Sequence, residues 1–389
     1  MIPTPAAYPV AEHLAEGHEV VVNMRPLLVC LSHLRWGFVY QRPQHLMTRM
    51  ARRYDVLFFE EPLTAEGQQA HLQLFLQSSG VTVATPYLPA GLNAEQTEQQ
   101  LRELLDDYLL RNPREVLLRW YFTPMSLGFS EHLSARCTVY DCMDELSAFK
   151  GAPPQLLERE QRLLALADVV FTGGVSLWEA KRAQHDNVHA MPSSVDIEHF
   201  ASARQALPEP ADQAGIAHPR LGFFGVVDER LDLALLEGLA RQRPDWQLVV
   251  LGPVVKIDPA SLPSLPNIHY PGARAYSELP AYLSGWDVAL MPFALNDATR
   301  FISPTKTPEY LAGGCPVVST PIRDVVRTYG ACPVVHIAED VPGFVTAIEA
   351  ALIQRQDRDA LFHLADQALA GMSWDCTWTA MMEHITCLA

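Results

Sequence analysis

Four groups of residues carry side chains whose types and spacing could do chemistry. In the run FISPTKTPEYLAGGCPVVSTP, residues 301–321, Pro304 and Pro308 punctuate a loop, and Glu309 falls in the first turn of a short helix that ends at Gly313 and Gly314. A helix N-terminus offers free N–H groups and a positive dipole end to an anion. Thr305 and Lys306 stand beside it, and together these groups suit a diphosphate. Glu309 could accept two hydrogen bonds from a vicinal diol such as ribose. The plainer alternative is an acid that favours a helix start beside a solvated lysine.

The second group is VYDCMDELSAFKG, residues 139–151, where Asp141, Asp144 and Glu145 cluster after a strand. Clustered carboxylates in a partly dry cleft raise one another's pKa, which suits a general base. Asp144 is the first choice, with Glu145 and Asp141 behind it. Asp144 could equally cap a helix beginning at Glu145. The third group follows a strand end bracketed by Gly222 and Gly225. Gly225 would let backbone approach a phosphate, and Arg230 could neutralise it bidentately. Asp228 and Glu229 would instead pair with that arginine. Lys256, in the loop GPVVKID, could be a second cation. The fourth group is SHLRWGFVYQRPQHL, residues 32–46, with Arg35, Trp36, Tyr40, Gln41, Arg42, Gln44 and His45. Aromatic faces stack on sugar rings, and amides and guanidiniums hydrogen-bond hydroxyls. Packing of Trp36 and Tyr40 against neighbouring elements is the alternative.

These groups must be positioned by the elements around them. Apolar runs at 27–31, 56–60, 115–121, 137–140 and 169–172 read as strands, and 43–53, 94–111 and 154–167 as helices. Strand, helix, strand in this order implies a parallel sheet covered on both faces. Residues 198–220 are rich in Pro and Ala and lack strong periodicity, which marks a join between domains. The pattern then restarts, with strands at 221–226, 247–251, 267–270, 288–291 and 316–319. Helices are predicted at 232–241, 277–283, 308–312 and 341–351. The fold class is therefore α/β, with two doubly wound Rossmann-like halves. A ligand belongs at the carboxyl ends of such strands, in the cleft between the halves.

Composition narrows the partners. The 389 residues carry 45 acidic and 29 basic side chains, a formal net charge of −16. That balance argues against a nucleic-acid partner. With 49% apolar residues the chain can build real cores. No stretch approaches the 18 or so apolar residues of a membrane span, and the N-terminus lacks the basic head and apolar core of a secretory signal. Seven scattered cysteines (30, 137, 142, 315, 332, 376 and 387) make no C-x-x-C pair and read as buried thiols of a reducing cytosol. No histidine spacing suits a structural metal, so no metal ligand is expected.

The run K-x-x-E-Y-L-A-x-G-x-P-V-V, starting at Lys306, resembles the nucleotide-sugar segment of GT-B glycosyltransferases, family 4 and its relatives. FTGGVSLWEAKR (171–182), MPSSVDIEHF (191–200), LGFFGVVDERLDL (221–233), ELPAYLSGWDVALMPF (278–293) and SWDCTWTAMMEHI (373–385) are similar to further elements of that family, in its order. Ser193 and Ser194 replace the family's usual Asn and Gly. The resemblance implies an acceptor-binding domain over residues 1–197, a linker at 198–219, a nucleotide-sugar domain over 220–370 and a final helix, 371–389, crossing back. It implies a hexosyltransferase-type activity with a UDP- or GDP-type nucleotide diphosphate sugar as donor substrate, no cofactor and no metal. The acceptor would be a glycan or lipid-linked molecule used in cell-surface polysaccharide synthesis. The place would be the cytoplasm, with peripheral contact at the inner face of a membrane left open. Arg274 and Tyr276 fall where such enzymes cradle the nucleobase, and the 32–46 loop, with Arg35, Trp36, Gln41, Arg42 and His45, falls where they face the acceptor.

The chain departs from this family at one telling place. Retaining members carry a second Glu eight positions before the one matched by Glu309, and here that position is Phe301. The lysine pattern and the acidic group after a strand also resemble a xanthan-type glucuronosyltransferase, an inverting enzyme. Stereochemistry thus stays open. An epimerase on the same scaffold would not need the crowded 32–46 loop, and a non-catalytic nucleotide-sugar binder would not need Asp144.

Overall fold

The computed structural model describes residues 25–65, 67 and 69–386. The N-terminal stretch read as lacking a secretory signal, and Cys387, lie outside the described residues. The first sheet contains β1 (Leu27–Leu31), β2 (Asp55–Phe59), β3 (Leu63–Ala65), β4 (His71–Leu76), β5 (Val81–Pro89), β6 (Val116–Tyr121), β7 (Cys137–Cys142), β8 (Val169–Thr172) and β9 (Val188–Ala190). Their spatial order is β3-β5-β2-β1-β6-β7-β8-β9, with β4 antiparallel on β5. β1, LLVCL, is buried on both faces, as a central parallel strand must be. Leu28 and Cys30 join one core and Leu27, Val29 and Leu31 the other.

The second sheet is wholly parallel. It contains β10 (Arg220–Phe224), β11 (Gln247–Leu251), β12 (Ile268–Gly272), β13 (Val288–Met291), β14 (Val317–Ser319) and β15 (Val335–Ile337), in the order β12-β11-β10-β13-β14-β15. In each sheet the first strand has neighbours that lead away in opposite directions: β1 lies between β2 and β6, and β10 between β11 and β13. A crevice opens at the carboxyl end of such a strand. The 32–46 loop leaves β1 there, and Gly225 leaves β10 there.

Several elements differ from the sequence reading. β7 runs through Cys142, so Asp141 is a strand residue. The short helix in the second half is Lys306–Ala312, starting two residues earlier than expected. Pro308 is tolerated because its missing N–H falls among those a first turn leaves unpaired anyway. Residues 198–219 are no bare tether. They overlap the helix Ile197–Ala201, and Gln213 is buried, donating to Tyr282 O at 3.1 Å and accepting from Trp286 Nε1 at 2.9 Å. The final helix, Trp374–Thr386, returns Trp374, Met381, Met382 and Ile385 to the core that holds Leu46 and Trp120.

The two sheets meet through specific contacts. Ser176 N donates to Asp324 Oδ1 at 3.0 Å, and Glu179 pairs with Arg323 at 2.9 Å and Arg327 at 2.8 Å. Phe301 packs on the core of the first sheet. Among the described residues no helix is long and apolar enough to cross a membrane.

Candidate functional site

Glycine shapes the floor of the cleft. After β10 the chain turns at Gly225 (φ +156°), and after β11 at Gly252 (φ +145°). A Cβ on Gly252 would stand 1.7 Å from Gly225 O, so the two turns abut only without a side chain there. Above them lie two cavities. The larger, of about 360 Å³, is lined by Trp36 and Tyr40 from the first half and by Gly225, Gly252, Arg274, Tyr276, Lys306 and Glu309 from the second. The smaller, of about 120 Å³, is lined by Gln41, Arg42, Asp144, Ser193, Arg230, Thr305 and Lys306 among others. Lys306 and Gly225 belong to both, so a ligand spanning the two would pass the lysine.

Lys306 is the first residue of its helix. Its Nζ lies 2.9 Å from Thr305 Oγ1, 3.2 Å from Glu309 Oε2 and 5.4 Å from the centre of the Phe224 ring. Glu309 is 6% exposed, and burial pushes its carboxyl up while Lys306 pulls it back. A buried carboxylate and a half-free ammonium thus face one cavity from adjacent turns. Tyr276 lines the same wall, stacked on His199 at 4.3 Å and against Tyr40 at 4.8 Å, with its buried hydroxyl unpartnered among the described residues. The Arg274 guanidinium is held by Tyr282 OH and Asp212 at the rim.

The acidic group after β7 divides among three tasks. Asp144 lines the smaller cavity, and burial raises its carboxyl to about 6 against the pull of Arg230 and Arg42. It does not cap the turn at Leu146–Ala148. Asp141 and Glu145 are not placed to act as bases, contrary to the sequence expectation. Asp141 is fully buried and receives Arg42 Nε at 2.9 and 3.1 Å on its two oxygens. Glu145 is engaged by Lys181 at 2.8 Å and by Ser147 Oγ at 2.7 Å.

Three of the five acceptor residues also need correction. Arg42, 1% exposed, spends its guanidinium on Asp141 and on Met191 O at 2.7 Å, so it braces the cavity from behind. Arg35 turns away, to Glu60 at 3.2 Å and Pro62 O at 3.3 Å. His45 is buried, stacked on Trp374 at 4.6 Å, and burial holds it well below the usual imidazole range. Trp36 and Gln41 do line the cavities, one each.

Among the phosphate candidates, Arg230 lines the smaller cavity but is already chelated by Asp228, with Nε to Oδ1 at 2.9 Å and Nη2 to Oδ2 at 2.8 Å. Lys256 lines neither cavity. It is exposed, left-handed (φ +61°), and lies 5.4 Å over Phe149.

The structure adds residues the sequence reading passed over. Glu60, buried after β2, accepts from Trp36 N at 2.7 Å and Thr85 Oγ1 at 2.8 Å, and so fixes the 32–46 loop. An acid directly after a strand was the available signal. Phe149 lies between Arg230 (5.6 Å) and Lys256 (5.4 Å), bringing the first half's turn onto the second half's cations. His33, next to β1, lines neither cavity, and burial lowers it to about 4.

Comparisons with known proteins bear on the fold and the activity. Residues 218–354 match the family model described as glycosyl transferases group 1. A teichuronic acid biosynthesis glycosyltransferase by description, TuaH of Bacillus subtilis (strain 168), is 26% identical over 282 residues, 68% of this chain and 70% of that protein. Sucrose-phosphate synthase from Thermosynechococcus elongatus superposes with a TM-score of 0.68 at 16% identity, over 92% of this chain and 98% of that one. The catalytic domain of starch synthase IV from Arabidopsis thaliana, bound to ADP and acarbose, gives 0.65 at 9% identity, over 94% and 99%. These two structures show the fold, the two facing Rossmann-like halves of GT-B. The second half of the chain carries a group 1 glycosyltransferase domain, and the chain is a glycosyltransferase.

Proposed function

We propose that this glycosyltransferase moves a sugar from a UDP- or GDP-type nucleotide diphosphate sugar to a hydroxyl of a glycan or lipid-linked acceptor in cell-surface polysaccharide synthesis. The observation that carries the reading is the pair of cavities joined at Lys306, with Glu309 facing one and Asp144 the other. The nucleoside takes the larger cavity, between Tyr276 and the loop of Trp36 and Tyr40. Glu309 accepts the ribose hydroxyls, and Lys306 meets the diphosphate at the junction, with Thr305 and Arg230 beyond it. The sugar then lies in the smaller cavity, before Asp144. The likeness to the teichuronic acid glycosyltransferase supports a cell-surface product. Such an acceptor puts the enzyme in the cytoplasm, at the inner face of the membrane.

In the reaction, the acceptor oxygen forms a bond to the anomeric carbon while the bond to the diphosphate oxygen breaks. The acceptor proton passes to Asp144, and the charge that develops on the leaving diphosphate is met by Lys306 and Arg230. A base near 6 is mostly ionised at neutral pH yet basic enough to take a proton. Phe301, in place of a carboxylate, packs on the other domain's core. One direct displacement, with inversion, is the course these residues favour.

The test is Asp144→Asn, assayed for transfer and, by calorimetry, for binding of UDP and GDP sugars. Transfer is expected to vanish while donor binding persists. Full transfer by the variant, or no heat from wild type with either donor, overturns the reading.

A further inference from the structure

Behind the turn that carries Asp144 is a buried cation that this reaction does not use. Lys181 ends the helix Val175–Lys181 and is 4% exposed. Its Nζ lies 2.8 Å from Glu145 and 2.7 Å from Glu160. The two acids belong to different bodies. Glu160 is on the helix Leu156–Leu166 and also accepts from Tyr140 OH at 2.8 Å, which ties it to β7. Glu145 is on the turn itself and accepts from Ser147 Oγ, two residues on, at 2.7 Å.

The turn has few other anchors. Its own backbone closes it, with Met143 N to Asp141 O at 3.0 Å, Leu146 N to Asp144 O at 3.1 Å and Ala148 N to Glu145 O at 2.9 Å. Gly173 lets β8 approach: a Cβ there would stand 2.2 Å from Met143 O. Cys142 Sγ also reaches Asp144 O at 3.6 Å and Met143 packs on the core around Trp120, while the Glu145 side chain is the charged link between this end of the turn and the first domain. The neighbouring Asp144 carboxylate has charged groups about it, Arg230, Arg42, Asp228 and Lys256, but among the described residues takes no hydrogen bond that would aim it. A buried ion pair is weak as a source of stability, because desolvation offsets most of the attraction. What it supplies is direction, since two charges out of water tolerate little misalignment.

We propose that Lys181 is a positioning residue: by gripping Glu145 it sets the turn 143–149 so that the Asp144 carboxylate faces the smaller cavity. This rests on Asp144 being the base. The role is aim and not chemistry, because Lys181 lines neither cavity and the ammonium is enclosed by its two acids.

The experiment compares Glu145→Gln, Lys181→Met and Glu160→Gln in the full chain, measuring kcat, KM for donor, the pH dependence of kcat, and Tm. Glu145→Gln and Lys181→Met are expected to lower kcat by about ten- to a hundredfold, the scale of a misplaced catalytic group. KM for donor should hold, because Lys306 and Glu309 are in the other domain and the Trp36 and Tyr40 wall is not tied to this turn. The acidic limb of the kcat profile should move to lower pH, since a loosened turn lets water reach Asp144 and burial is what raises its carboxyl to about 6. Glu160→Gln is expected to lower Tm and leave kcat within about threefold, because Lys181 keeps Glu145 as its partner. Should Lys181→Met fail to fold, Glu145→Gln alone decides. A wild-type kcat and an unmoved pH limb in Glu145→Gln overturn the proposal, and so does a lowered Tm as its sole effect. Failure of the base reading is seen separately, as an Asp144→Asn variant that still turns over.

Discussion

The acidic group after β7 and the lysine turn before the helix Lys306–Ala312 look alike in sequence, since each places charged residues just past a strand or loop. They are built on opposite plans. At the lysine turn the partners are neighbours: Lys306 meets Thr305 and Glu309, one and three residues away, at 2.9 and 3.2 Å. After β7 the partners come from afar. Asp141 is claimed by Arg42, 99 residues earlier, and Glu145 by Lys181 from the next helix but one, while Asp144 keeps its carboxylate for the cavity. The charges of the first group are set against one another as soon as its own turn forms. The other needs the whole first domain, and its three acids separate into a brace, a tether and a carboxylate left facing the cavity.

That division predicts unequal losses. The largest is expected for Asp144→Asn, which removes proton transfer and should lower kcat by about a hundred- to ten-thousandfold with donor affinity unchanged. Initial rates and donor calorimetry on the same preparation check it. Asp141→Asn should act on stability instead. It leaves the guanidinium of Arg42, 1% exposed, without its counter-charge. Removing one partner of a buried pair costs about 3–5 kcal/mol, which denaturant melts would register. An Asp141→Asn protein as stable as wild type but inactive would break the comparison, since it would make Asp141 a reacting group too. Lys306→Met should sharpen it from the other side. Losing one charge-assisted contact, about 1.5–3 kcal/mol, should weaken donor binding by about ten- to a hundredfold. Tm should fall less than for Asp141→Asn, because the ammonium is partly exposed and the buried Glu309 carboxyl left behind can take up a proton.

Legibility followed the same division. The strand pattern of the second half, and Lys306 with Glu309 at the start of a helix, were readable because spacing along one turn decides them. Asp144 was readable as one acid of three, but which of the three stays free is set by Arg42 and Lys181, whose places depend on strand order. Arg42 and His45 read as ligands because loop polarity is visible in sequence. The lid over His45 is Trp374, returned by the last helix, and that contact leaves no local trace. β3, β4 and β5 went unread for another reason. β4 pairs only with β5 among the described residues and is exposed along most of its length, so Leu72, Leu74 and Leu76 mark no buried face, while β5 has prolines at Pro86 and Pro89.

The smallest expected effect follows from the same carboxylate that carries the largest. Asp144 holds its proton more tightly in the folded protein, near 6, than the 3.8 of an ordinary aspartate. For an acid raised in this way, ionisation opposes folding. Its unfavourable contribution is absent while the group is protonated in both states, grows as pH rises between those two values, and is constant above the upper one. A neutral Asn escapes that cost. Asp144→Asn should therefore melt slightly above wild type at pH 7.5, and the difference should shrink toward nothing as pH approaches 4. Paired scanning calorimetry across that range checks it, and turnover of the wild type should rise through the same window as the base ionises. A variant that melts lower than wild type at pH 7.5 would place Asp144 with Asp141, among the acids the fold depends on. The contrast between a free carboxylate and two committed ones would then be lost.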